Sequence, residues 1–208
     1  VAVGPSALAS GKNSVSIGTN NNSRVQDTVT MGQDNDAKTM GGIAIGKNNM
    51  VDSTNGGTNF GETRNENSQI AIGRDNTATH LDTIAIGRDT HATGSGATAF
   101  GARADASGNN SIAIGQSGRD SKRITASGEN AIAIGMRTTS SGASSIAQGA
   151  EATATGDYAI AEGRLSKATK QGAIAIGNEA EANIANGVAL GDYSVTTTDK
   201  GVLGYNPS

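Results

Sequence analysis

The chain has 208 residues, with 16 Lys and Arg against 19 Asp and Glu for a net charge of −3, no cysteine or tryptophan, two phenylalanines and three tyrosines. This composition excludes a disulfide framework and thiolate metal sites, offers no basic surface for nucleic acid, and supplies too few large side chains for a thick spherical core. Thirty glycines, and a 35% hydrophobic fraction rich in alanine, point instead to thin buried layers repeated many times.

Read from the N-terminus, an aliphatic-small-aliphatic-Gly tetrad keeps returning. It opens as VAVG at Val1–Gly4, VSIG at Val15–Gly18 and VTMG at Val29–Gly32. IAIG follows at Ile43–Gly46, Ile70–Gly73, Ile84–Gly87, Ile112–Gly115, Ile132–Gly135 and Ile174–Gly177. Between and after these stand TNFG (Thr58–Gly61), TAFG (Thr98–Gly101), IAQG (Ile146–Gly149), IAEG (Ile160–Gly163), VALG (Val188–Gly191) and a degenerate GVLG (Gly201–Gly204). Ten of the fourteen intervals between the closing glycines are 14 residues. A fixed period of this kind marks a solenoid.

Within one repeat, the period of two in a strand sets Ile112 and Ile114 on one face and Ala113 on the other, and Gly115 turns the chain. The trailing half alternates small and polar residues, as in Ala104-Asp105-Ala106-Ser107-Gly108 and Ala152-Thr153-Ala154-Thr155-Gly156, and closes on a second glycine. Asn13-Ser14, Asn110-Ser111 and Asn130 suit the turn before the next tetrad. Each unit therefore reads as two short strands and two turns, one coil of a parallel β-solenoid. About fourteen such coils would stack to roughly 70 Å at one strand spacing each.

The larger side chains are expected to fill the coil. That assigns the core to Ile43, Ile45, Ile70, Ile72, Ile84, Ile86, Ile112, Ile114, Ile132, Ile134, Ile174 and Ile176. The central residue stays small and apolar where a solvated strand face would carry Thr, Lys or Glu. Ala113, Ala133, Ala147 and Ala161 are accordingly expected to face another chain. Gln148 and Glu162, which replace isoleucine in successive repeats, join them as interface candidates, either as a polar layer setting register between chains or around water or an ion. One coil buries too little to balance the entropy of ordering 14 residues, so oligomerisation is expected.

NSIAIG (Asn110–Gly115), NSVSIG (Asn13–Gly18) and the 14-residue period with its A-x-A-x-G half resemble the head domain of trimeric autotransporter adhesins, the YadA-like group. The resemblance spans residues 1–200. It implies an all-β, left-handed parallel β-roll assembled as a homotrimer at a bacterial surface, with an outer-membrane anchor, a stalk and a signal segment elsewhere in a longer protein. It implies no enzymatic activity and no cofactor. The implied partners are the chain itself and host matrix proteins such as collagen or fibronectin, or other bacterial cells; membrane contact would come only through the anchor. Residues 201–208 resemble the start of a junction to the next module.

Departures from the period are few. The interval from Gly115 to Gly135 carries six extra residues within Gln116–Arg123, read as a loop in which Arg119, Lys122 and Arg123 are candidate ligand-binding cations or a clamp on a neighbour. The repeat through Glu62–Ser68 is two residues short, and Thr58-Asn59-Phe60 breaks the aliphatic rule. His80 and His91 have no second His or Cys at metal-ligand spacing, and Asp34-Asn35-Asp36 and Asp75-Asn76 lack a calcium-loop pattern. Arg74-Asp75 and Arg88-Asp89 recur one period apart as charge ladders of little energetic weight. An acyltransferase solenoid would need a six-residue period. An ice-binding solenoid would need a continuing Thr-x-Thr ladder, which Thr153 and Thr155 only hint at. The adhesin head is therefore the leading expectation, with a passive spacer as the alternative.

Overall fold

The computed structural model describes residues 1–52, 68–118 and 122–197. Its regular elements are all strands, and no helix among the described residues is long and apolar enough to cross a membrane. The tetrads form one parallel sheet of thirteen strands, and the trailing halves form a second of twelve. Each strand pairs with its equivalent in the next coil. Ile84, Ala85, Ile86 and Gly87 lie opposite Ile70, Ala71, Ile72 and Gly73, and opposite Thr98, Ala99, Phe100 and Gly101 on the other side. The result is a β-solenoid with two narrow, facing sheets.

Among the described residues thirteen coils stack, which span roughly 60 Å at one strand spacing per coil. Strand Ile43–Lys47 pairs directly with Ile70–Arg74, and Met50–Asp52 with Thr77–Thr79, so the ladder continues in register across the interruption. The expected repeats at Thr58–Gly61 and Gly201–Gly204, the short repeat through Glu62–Ser68 and the junction at residues 201–208 lie outside the described residues, apart from Ser68.

The orientation of the first sheet is the reverse of the expected one. Ala113, Ala133, Ala147 and Ala161, expected at an interface, are fully buried within the chain, as are Ala44, Ala71, Ala85, Ala99 and Ala175. Ile43, Ile45, Ile70, Ile72, Ile84, Ile86, Ile112, Ile114, Ile132, Ile134, Ile174 and Ile176 point outward and are only half-buried. Coil width is the reason. The second sheet turns Ala78, Ala92, Ala106, Ala126, Ala154, Ala168 and Ala182 inward, all fully buried, against the alanines of the first. Two facing layers made mostly of methyl groups take a single branched side chain, such as Val51 in the second sheet, but leave no room for a whole column of isoleucines, because interiors pack without slack.

The two glycine columns have distinct causes. Gly115, at φ +145°, could not carry a side chain even in a permissive conformation, because a Cβ there would lie 2.1 Å from the carbonyl oxygen of Gly135 in the next coil. Gly128 has ordinary backbone angles, yet its Cβ would meet the Gly142 carbonyl oxygen at 2.1 Å. The corners that follow are left-handed. Asn13, Asn110 and Asn130, expected in turns, have φ of 57°, 54° and 55°. Ser14 closes the same corner by donating its hydroxyl to the Gly11 carbonyl at 2.7 Å.

The interior changes character along the stack. In the N-terminal half Asn21, Asn35, Asn49 and Asn76 lie one above another, each about fully buried. The Asn49 side-chain amide donates to Asn35 Oδ1 at 2.9 Å, to the Ile45 carbonyl at 3.0 Å and to the Gly73 carbonyl at 2.9 Å. Its own Oδ1 accepts from the backbone and side-chain nitrogens of Asn76. Thr90 ends the ladder, and Ala104, Ile124, Thr138, Ala152, Ser166 and Ala180 follow at the same position, so apolar residues take over much of the column.

Candidate interaction surfaces

Three surfaces stand out on the solenoid. The first is the outer face of the thirteen-stranded sheet. Its two rows run from Val1 and Val3 through Val15, Ile17, Val29 and Met31, then the twelve isoleucines, to Val188 and Leu190, with every row neighbour one strand spacing away. Phe100 is 51% exposed within this strip. Gln148 and Glu162 lie in the third-position row, directly opposite one another and exposed, with Ile134 before them and Ile176 after. With Thr98 in the first-position row, they interrupt a strip that is otherwise apolar along the described coils. Patches of that extent on a folded protein mark an interaction site.

The second surface is a charge cluster beside the insertion. His91 lies between Asp89, with Nε2–Oδ1 at 3.5 Å, and Asp105, with Nδ1–Oδ1 at 3.0 Å. Arg123 reaches back over two coils to the same carboxylates, with Nη1–Asp89 Oδ2 at 3.1 Å and Nε–Asp105 Oδ2 at 2.5 Å, and it also donates to the Asp89 carbonyl. Arg103 approaches Asp89 from the side at 3.6 Å. Arg123 thus holds the end of the loop to the roll. Lys122 beside it is exposed. Arg119 lies outside the described residues.

The third is a shallow groove of about 450 Å³ on the outer face of the second sheet. Thr125, Thr139 and Thr153 stack along its floor in consecutive strands, with Lys167 next in the row. A second, more polar groove of about 510 Å³ lies near the N-terminal end among Asn20, Asn22, Asp34 and Asp36. Its carboxylates are engaged internally: Asn20 donates to Asp34 at 2.8 Å and Asn22 to Asp36 at 2.9 Å. Nearby, amide hydrogen bonds from Asn13 and then Gln26 hold the exposed Asp27 carboxyl below its ordinary pKa.

The remaining sequence candidates serve the fold. Asn35 of Asp34-Asn35-Asp36 is a rung of the buried ladder, and Asp36 pairs with Lys38 at 3.2 Å. His80 occupies a left-handed corner and its carbonyl accepts from the buried Gln69 amide at 2.6 Å. Arg74 pairs with Asp75 at 3.3 Å, whereas Asp89 turns to Arg103 and Arg123 rather than to Arg88. The asparagine ladder was missed in the sequence. Its signal is a Gly-x-x-Asn spacing at Gly18–Asn21, Gly32–Asn35, Gly46–Asn49 and Gly73–Asn76.

A two-sheet parallel solenoid with an alanine-rich interior and a long, largely apolar outer strip defines a class of repeat protein that presents long, regular surfaces. The family model for the YadA head domain repeat, in two copies, matches residues 1–21, 70–90, 92–117, 125–138, 140–166 and 168–194. The chain belongs to that family, the head repeats of trimeric autotransporter adhesins, a group of surface-exposed structural domains rather than enzymes. No curated protein shows a significant match to it.

Proposed function

We propose that this chain is the head of a homotrimeric adhesin, held at a bacterial surface by an outer-membrane anchor in the full-length protein, which attaches the cell to host matrix such as collagen or fibronectin or to other bacterial cells. The observation that carries the reading is the outward row of half-buried isoleucines, which a single chain leaves facing water. Covering the remainder of each is worth about 1 kcal/mol per residue, so several coils suffice to hold chains together. With the first sheets turned toward one another, the second sheets and the insertion would face outward, and every surface feature would appear three times. A repeated surface suits a repeated ligand, because weak contacts add through effective concentration. The test is attachment of the purified protein to immobilised collagen, to fibronectin and to bacterial and host cells. Saturable binding to one of them supports the adhesin. Binding to none at any concentration leaves a passive spacer of a surface fibre.

A further inference from the structure

The threonine-floored groove carries an inference about ligand class, and it rests on the adhesin reading. Thr125, Thr139 and Thr153 place three hydroxyls in one row at successive strand spacings, about 4.8 Å apart. Next to them stand Ser127, Ser141 and Thr155, whose backbone amides bind the Ser140, Ala154 and Ala168 carbonyls one coil on and so keep the same register. Lys122 lies at one end, in the coil of Thr125, and Lys167 at the other, three coils on. Both are exposed, and among the described residues neither is within ion-pair distance of a carboxylate. Arg137 pairs with Glu151 at 2.7 Å along the side, and the Arg123 charge is balanced by Asp89 and Asp105. Carboxylates bound the stretch: Asp105 precedes Thr125 in the row and Glu181 follows Lys167. The groove is thus a short positive segment on a chain of net charge −3.

We propose that this segment binds a linear acidic glycan, sulfated or uronate-bearing, lying along the solenoid axis. Lys122 and Lys167 meet its anionic groups, and the hydroxyl rows meet its sugar hydroxyls and ring oxygens. The floor favours a glycan over an acidic peptide. Strands Thr139–Ser140 and Thr153–Ala154 are paired on both sides, so no free edge is offered to an extended peptide backbone. Leu165 is the one large apolar side chain lining the groove among the described residues, so side-chain pockets are absent there too. Hydroxyls at a constant spacing match a polymer that repeats its own hydroxyls.

The experiment measures binding of the intact assembled protein to immobilised heparin across a salt series. Wild type is expected to bind, more weakly as salt rises, with neutral dextran and polyglutamate failing to compete. Lys122→Glu with Lys167→Glu should weaken binding about tenfold or more and flatten the salt dependence. Lys12→Glu with Lys47→Glu, the same charge change on exposed residues elsewhere, should leave affinity nearly unchanged. Thr139→Val, nearly isosteric, should weaken it several-fold. If the glutamate pair misfolds, the corresponding glutamine pair carries the same expectation. No heparin binding, equal losses in both charge-reversed pairs, or effective competition by polyglutamate would each overturn the proposal. Attachment to matrix and cells is measured on the same proteins. Retained attachment without heparin binding removes the glycan groove and leaves the adhesin reading intact, whereas loss of both removes both.

Discussion

Each coil has left-handed corners, and the side chains at them change along the molecule. In the first coils they are Asn13, Asn20, Asp34 and Asn48, residues whose short polar side chains tolerate φ near +57°. Further on the same corners hold Glu151, Tyr158, Leu165 and Tyr193 at φ of 57° to 60°, where a bulky side chain is strained. Tyr158 is 63% exposed, so little packing offsets the strain. Tyr158→Asn is therefore expected to stabilise the protein by about 1 kcal/mol. A raised thermal midpoint is the readout, and a lowered one would show that the ring makes a contact the single chain lacks. The alanine interior makes the opposite demand. Ala133→Leu forces a branched side chain between two methyl layers, at a cost of about 3 kcal/mol or more. Loss of β-sheet circular dichroism at ordinary temperature is the expected result; an unchanged melt would contradict the inward orientation of the central residue.

Among the elements, the asparagine ladder is a buried polar column whose amides bond to one another from coil to coil. Every rung both donates and accepts, so the buried amides are satisfied only while the neighbours are in place. Asn49→Ala leaves the Gly73 carbonyl, Asn35 Oδ1 and the Asn76 nitrogens short of a partner, at an expected cost of about 2–4 kcal/mol. Hydrogen exchange should show that loss centred on the coils around Asn49, and protection unchanged there would contradict it. Strand positions, register and the glycine corners were legible in the sequence because period two and period 14 leave one solution. The inward face was not legible from hydrophobic size alone. Ile112 outranks Ala113 on any such scale, and only the coil width, set by Ala104 and Ala106 opposite, decides that the alanine goes in. The candidate site was legible in part. Lys122 reads correctly as an exposed cation, whereas Arg123 is committed to Asp89 and Asp105, carboxylates 34 and 18 positions earlier whose approach depends on stacking.

At the scale of the whole molecule, the outward isoleucines are the surface through which the proposed trimer would assemble. The same faces predict where the assembly is weakest: Gln148 and Glu162 interrupt the apolar strip, and Glu162→Ile should raise the concentration-dependent melting temperature. A fall would show that the carboxylate has a partner on a neighbouring chain. The most direct test of the central claim is the mass of the protein in solution by sedimentation equilibrium, for wild type and for Ile112→Glu with Ile132→Glu. The wild-type chain should sediment at three times its 20.7 kDa mass, and the double variant should lose that species to monomer or unfolded chain. A wild-type mass of one folded chain, or an unchanged trimer in the variant, would contradict the assignment of the isoleucine face as the surface through which the chains associate.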